Sequence, residues 1–227
     1  MMNRTSAVMR MHLRKKLNWL LVPVAVLLSS FIINVLIGAF AEDPIYTGGL
    51  SSIFVYMMVM GIITFAQTFP FSLGMGIRRA DYYKGTFATG LLAVFVFAIF
   101  LFLMSMAEGK WTNYWGVRLH FFDLPYWSDG PIINRLWIPF LLLLCMFAAG
   151  FLIGTYYRRF NKTGLLIGAL AIVLLGTIAS FVIGLNDYWT NIFHWLQDQT
   201  MAGLALWTLP FTVLFAAVSY LLLRRCT

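Results

Sequence analysis

Six stretches of the chain, about 17–41, 51–72, 86–107, 134–157, 163–186 and 202–223, are apolar for long enough to cross a bilayer. A spanning helix needs roughly 20 such residues at about 1.5 Å each. Lipid offers the backbone no hydrogen-bond partner, so a run of this kind must satisfy its own N–H and C=O groups as a helix. None of the six contains Asp, Glu, Lys or His, and Arg135 stands only at the mouth of the fourth. Hydrophobic residues make up 61% of the chain, against about 45–50% in soluble domains. The longest connection, 108–133, is too short for a soluble domain. The expectation is an all-α polytopic membrane protein, residues 1–227 forming a single transmembrane domain. The first run ends in Ala39-Phe40-Ala41, which mimics a signal-peptidase site behind Arg14-Lys15-Lys16. Signal-peptide cores are only about 7–15 residues long, so the run reads as a retained first helix.

Charge sets the expected orientation. Of the sixteen basic residues, Arg4, Arg10, Arg14, Lys15, Lys16, Arg78, Arg79, Lys84, Arg158, Arg159, Lys162, Arg224 and Arg225 fall at the ends or in the loops after the second, fourth and sixth runs. The other loops hold Lys110, Arg118 and Arg135, together with Glu42, Asp43, Glu108, Asp123, Asp129, Asp187 and Asp198. The positive-inside rule then puts both termini in the cytoplasm. The net charge of +8 is thereby a topology signal, and no basic face is broad enough for nucleic acid.

The segments outside the runs carry further patterns. Thr5 and Ser6 are good N-caps, and Met9, Leu13 and Leu17 follow at i+4 spacing. Residues 1–16 therefore fit an amphipathic helix on the inner leaflet or a solvated basic tail. The loop 108–133 concentrates Trp111, Tyr114, Trp115, Phe121, Phe122, Tyr126 and Trp127, a composition that suits the headgroup level or a ligand-stacking platform. In 186–200, Asn186 can cap, and Trp189, Ile192, Phe193 and Leu196 mark one helical face, which predicts a short membrane-dipping outer helix. His120 and His194 on that side lack the companions of a metal site. Cys145 falls mid-membrane and Cys226 at an end, too far apart for a disulfide. Gly150 and Gly154, then Gly164 and Gly168, are GxxxG pairs placed symmetrically about 158–163. Small residues one turn apart let helices approach closely in lipid, which predicts a tight hairpin between the fourth and fifth spans.

Several chemistries are missing from the sequence. There is no GxxxxGK[ST] phosphate loop, no HExxH and no Cys/His cluster. Membrane carboxylates are functional by default, and the runs have none. The neutral polar residues Asn34, Gln67, Thr68, Thr177, Ser180 and Thr212 suit helix–helix hydrogen bonds or contact with a substrate. The chain is expected not to be an enzyme and to need no cofactor.

One polar segment interrupts the apolar plan. In FAQTFPFSLGMGIRRADYYKGTF, residues 65–87, Pro70 and Gly74 predict the end of the second span, Gly76 loosens the backbone, and Gly85 separates the segment from the third span. Between them, Arg78, Arg79, Asp81, Tyr82, Tyr83 and Lys84 fit a helix of about two turns. Such a helix would present charges and rings to the cytoplasm, and Tyr and Arg often anchor interfaces.

Phe69-Pro70-Phe71-Ser72-Leu73-Gly74 followed by Arg78-Arg79-x-Asp81-Tyr82-Tyr83-x-Gly85-Thr86 resembles the segment between spans two and three of bacterial ABC-2 type transporter permeases. The six-span plan and the outer segment before the last span fit the same family. The resemblance implies that 78–84 is a coupling helix received by a cytoplasmic ATPase subunit, and that the amino-terminal helix is the family's membrane-parallel connecting helix. It further implies that two permeases pair, as a homodimer or a paralogous heterodimer, to export an apolar or amphipathic substrate such as a peptide, lipid or drug. The chain lacks a large extracellular domain, which argues against a route relying on one. Two alternatives stand beside this reading: the substrate-capturing subunit of an ATP-driven vitamin importer, though 17–41 lacks the AxxxA pattern of those subunits, and a non-transporting membrane immunity or sensor protein.

Overall fold

In a computed structural model, residues 4–14, 17–125 and 130–224 are described. Lys15, Lys16, Tyr126, Trp127, Asp129, Arg225 and Cys226 lie outside them, as does the side chain of Leu17. The described chain is almost wholly helical. Its helices are α1 (Arg4–Arg14), α2 (Val22–Gly38), α3 (Ser51–Gly74), α4 (Arg79–Lys110), α5 (Asn134–Leu185), α6 (Tyr188–Asp198) and α7 (Met201–Arg224). A π-helical turn, Leu17–Leu21, leads into α2. Two short strands, β1 (Ile45–Tyr46) and β2 (Leu119–His120), pair in parallel.

Among the described residues, five helices are long and apolar enough to cross a membrane. The longest, α5, has 52 residues and covers the expected fourth and fifth spans without an intervening loop. Its continuity breaks at one residue, Asn161, where φ is 57° and ψ is −169°. Left-handed φ is rare for side chains other than Asn and Asp, and here it reverses the chain. The Tyr156 hydroxyl donates to the Gly164 carbonyl at 3.3 Å, a contact that eight residues of straight helix, about 12 Å long, would not allow.

The four glycines of the GxxxG pairs do not form one hairpin seam. Gly150 and Gly154 face α3: a β-carbon at Gly150 would collide with the Met58 carbonyl, and one at Gly154 would lie 3.1 Å from Phe65. Gly61 on α3 answers them, since its β-carbon would come within 2.6 Å of the Phe147 carbonyl and the Phe151 amide. Two backbones meet there with nothing between. Gly164 and Gly168 instead face the other arm of α5, against Phe160 and Tyr156. The first pair is taken up by α3 because α3 supplies its own glycine at the crossing.

The main core joins α2, α3, α4 and the first arm of α5 through Leu27, Ile53, Met57, Val94, Phe97, Leu143 and Phe147. A second cluster, Val8, Phe65, Phe69, Tyr82, Phe151 and Leu223, closes one end of the bundle. That end carries Arg10, Arg78, Arg79, Lys84, Arg224 and, nearly three turns beyond Phe151, the Asn161 reversal with Arg158, Arg159 and Lys162. The opposite end carries Glu42, Asp43, Glu108, Asp123, Asp187 and Asp198. Helix packing thus gathers the basic loops at one pole and the acidic loops at the other.

Candidate functional site

The segment from Phe69 to Lys84 is built differently from the expected separate helix. Pro70 does not end α3, which continues to Gly74. The helix stops in a Schellman motif: Ile77 N–H donates to the Ser72 carbonyl at 3.1 Å, Gly76 N–H donates to the Leu73 carbonyl at 2.9 Å, and Gly76 has φ of +73°. Gly76 is at the position where the left-handed conformation is required. Arg78 is extended and begins α4, with Asp81 in the first turn facing the positive end of the helix dipole.

Helix α4 then runs unbroken through Gly85 to Lys110. Gly85 is not a separator. It is buried where α1 crosses, and a β-carbon there would lie 2.7 Å from Val8 and 2.9 Å from the Thr5 carbonyl. The face that α1 buries is accordingly Val8 and His12, while Leu13 is 44% exposed. This differs by one residue from the expected Met9–Leu13 stripe, because α4 offers a gap at Gly85 and a hydroxyl at Thr86. The His12 ring nitrogen Nε2 and Thr86 Oγ1 are 3.1 Å apart.

The two tyrosines point into the bundle, not to the outside. Tyr82 is fully buried. Its hydroxyl is 2.8 Å from Thr68 Oγ1 and donates to the Thr64 carbonyl at 3.3 Å. Its ring packs edge-on against Phe69 at 5.3 Å and lies 6.3 Å from both Phe65 and His12. Tyr83 is half-buried and donates to the Ala216 carbonyl of α7 at 2.8 Å. It also meets Tyr220 and Phe151 edge-on. The Arg79 guanidinium donates to the Arg224 carbonyl at 3.1 Å, satisfying an acceptor in the last turn of α7. Arg78 and Lys84 remain exposed, with Asp81 half-exposed between them. Position 82 reads as a surface residue from sequence because its neighbours are charged. Its face is decided by Phe65, Phe69 and Thr68, which α3 brings alongside.

A second polar centre, at the acidic pole, was not singled out by any motif. Glu108 is fully buried near the end of α4. Its Oε1 accepts the amides of Phe121 at 2.8 Å and Asp123 at 3.1 Å, and its Oε2 accepts Phe122 N–H at 2.8 Å and the Trp115 indole N–H at 2.9 Å. Asp123 in turn accepts Ser105 Oγ–H and pairs with Arg135, each at 3.3 Å. The surrounding loop is strained: Asn113, Tyr114, Trp115 and Arg118 all have positive φ, a state that persists only where neighbouring contacts over-determine it. Phe121, Phe122 and Trp115 pack on Phe31 of α2 at 4.9–5.6 Å. Phe121 and Phe122 are core and Trp115 packs against it, where a headgroup belt or stacking platform was expected, while Trp111 of the same loop is 82% exposed. With four donors aimed at it, Glu108 is a structural anchor for the loop and has no free lone pair directed at a reactant. The one sequence signal was its place: an acid within a turn of an apolar helix end.

Comparisons with protein-family models, curated proteins and solved structures return no match.

Proposed function

We propose that the chain is a permease subunit of an ATP-driven bacterial exporter, and that the tip between α3 and α4 is where a separate ATPase engages it. The reading rests on the residue pattern of 69–86 and on six apolar runs without carboxylates, which leave an energy source to a partner. One observation carries it: exposed Arg78 and Lys84, with half-exposed Asp81 between them, cap and begin a helix continuous to Lys110, and the same turns are tied to three neighbours. Tyr82 links the tip to α3 through Thr68, Tyr83 and Arg79 link it to α7, and Gly85 seats α1. A displacement applied at Arg78 is then passed to four helices as a rigid-body shift, the kind of motion that alternates access.

In this reading the basic pole faces the cytoplasm, two permeases pair, the chain crosses the membrane six times with the arms of α5 as separate spans, and the cargo is apolar or amphipathic. Contact with the ATPase falls to Arg78, Asp81 and Lys84. Tyr82 and Tyr83 act by positioning the tip. Losing a desolvated charge pair at an interface costs about 2–5 kcal/mol, whereas a rim charge alters little. In affinity purification from native membranes, Arg78→Glu and Lys84→Glu should strip the ATPase from the permease, while Arg10→Glu, exposed on α1 at the same pole, should not. If no ATPase accompanies the unaltered chain, or all three variants behave alike, the reading fails.

A further inference from the structure

The two arms of α5 diverge from Asn161 and enclose, with α7, a cavity of about 600 Å³. Its walls are Leu152, Ile153 and Tyr156 on the first arm, Leu165 and Ile172 on the second, and Val218 on α7. The one polar side chain among these, Tyr156, spends its hydroxyl on the Gly164 carbonyl. The volume falls within the roughly 300–1,000 Å³ of small-molecule sites, and the lining is that of a slot for hydrocarbon. Tyr156 and Phe160, tilted against each other at 4.7 Å between centroids, face Gly168 and Gly164 of the second arm near the reversal. The slot opens sideways, since Ile172 is 72% exposed.

The slot has a charged end. From Asn161 to Leu165 is about 6 Å along the helix, and to Ile172 about 16 Å. Arg158, Arg159 and Lys162 therefore stand within about one turn of the reversal, at the end where the arms join an apolar groove about half a bilayer long. Among the described residues none of the three has a carboxylate partner, the ion pair present being Arg135–Asp123 at the other pole. The Arg159 guanidinium lies 5.1 Å from the centroid of the Phe160 ring, and that ring neighbours Tyr156 of the cavity wall.

We infer that the cleft between the two arms of α5 and α7 binds a phospholipid with a net negative headgroup, its acyl chain along Leu152–Ile172 and its phosphate at Arg158, Arg159 and Lys162. Two features select this occupant. The apolar walls and lateral opening admit an acyl chain from the bilayer, and the cations flanking the reversal, without carboxylate partners among the described residues, distinguish an anionic headgroup from a zwitterionic one. The inference is independent of whether an ATPase partners the chain.

Photo-crosslinking in reconstituted vesicles tests it, with phosphatidylglycerol or phosphatidylcholine carrying a diazirine in the acyl chain and the adducts mapped by mass spectrometry. Phosphatidylglycerol should label the peptides containing 152–156 and 165–172 several-fold more than phosphatidylcholine. A triple variant, Arg158→Gln with Arg159→Gln and Lys162→Gln, should lower that labelling about tenfold or more, taking the usual worth of each cation near an anionic surface. Ala169→Trp, which fills the slot from an exposed position, should block both lipids there. Labelling at exposed Val55 and Leu103 should be unchanged in every variant, which shows that the bundle is intact. Equal labelling of the cleft by the two lipids, or no effect of the triple variant, would overturn the inference and reduce the cleft to an ordinary lipid-facing wall. Labelling no stronger in the cleft than at Val55 and Leu103 would do the same.

Discussion

Replacing Glu108 tests whether one buried carboxylate holds the loop at the acidic pole. Alanine would leave four donors, the amides of Phe121, Phe122 and Asp123 and the Trp115 indole, without their acceptor. A buried donor left unpaired costs about 1–3 kcal/mol, so the loss is at least about 4 kcal/mol if water does not enter. Glutamine is the sharper probe. With its carbonyl in the Oε1 position it keeps Phe121 and Asp123, but its NH2 then faces the Phe122 and Trp115 donors. Two hydrogen bonds to a charged acceptor, at about 1.5–3 kcal/mol each, give a loss of about 3 kcal/mol or more. At about 2–4 °C per kcal/mol for a chain of this size, Tm should fall by roughly 6–12 °C. The assay is thermal unfolding of the detergent-purified protein, with amide hydrogen exchange at 119–123 as a local readout. Glu42→Gln, an exposed acid at the same pole, is the control and should stay within about 0.5 kcal/mol of the parent. If Glu108→Gln and Glu108→Ala both melt with the control and exchange at 121–123 is unchanged, the anchor assignment is wrong.

Other expectations follow from the same contacts. Single cysteines at Met75 and Trp111, both exposed and at opposite poles, should label oppositely with an impermeant thiol reagent on intact cells; equal labelling from outside would refute the proposed orientation. Gly150→Leu and Gly61→Leu should each prevent assembly of the α3–α5 crossing, seen as loss of monodisperse elution, since the atoms in the way are backbone, whereas Gly176→Leu, with nothing within 4 Å, should be tolerated. Asn161→Gly should be neutral or raise Tm, and Asn161→Val should destabilise by about 1–3 kcal/mol, because only glycine takes that φ and ψ without strain; the reverse order would exclude the reversal at this residue.

The apolar helices and the separation of charge were legible in the sequence because both are set by composition over long windows. Run length dictates a helix in lipid, and loop charge follows the alternation of the runs. The single-residue turn at Asn161 was less legible, since a polar stretch of Arg158–Thr163 reads as a loop although its residues all keep helical geometry except one. The candidate site was legible as a place but not as a geometry. Charged neighbours made Tyr82 look external, yet its environment is decided by α1 and α3, at sequence separations no local pattern carries. Gly85 read as punctuation for the same reason: a glycine at a helix crossing and a glycine at a break are identical until the crossing helix is known. Glu108 left almost no trace, because its partners are backbone amides, which every residue possesses.

The docking tip is the central claim, and a photo-reactive amino acid placed at Arg78 tests it most directly. Irradiation of intact membranes should join the chain to one protein bearing a P-loop nucleotide-binding site, and the same residue placed at buried Tyr82 should give adducts within the chain alone. A tip that captures no nucleotide-binding protein from Arg78, in cells where the chain is abundant and correctly inserted, would contradict the account.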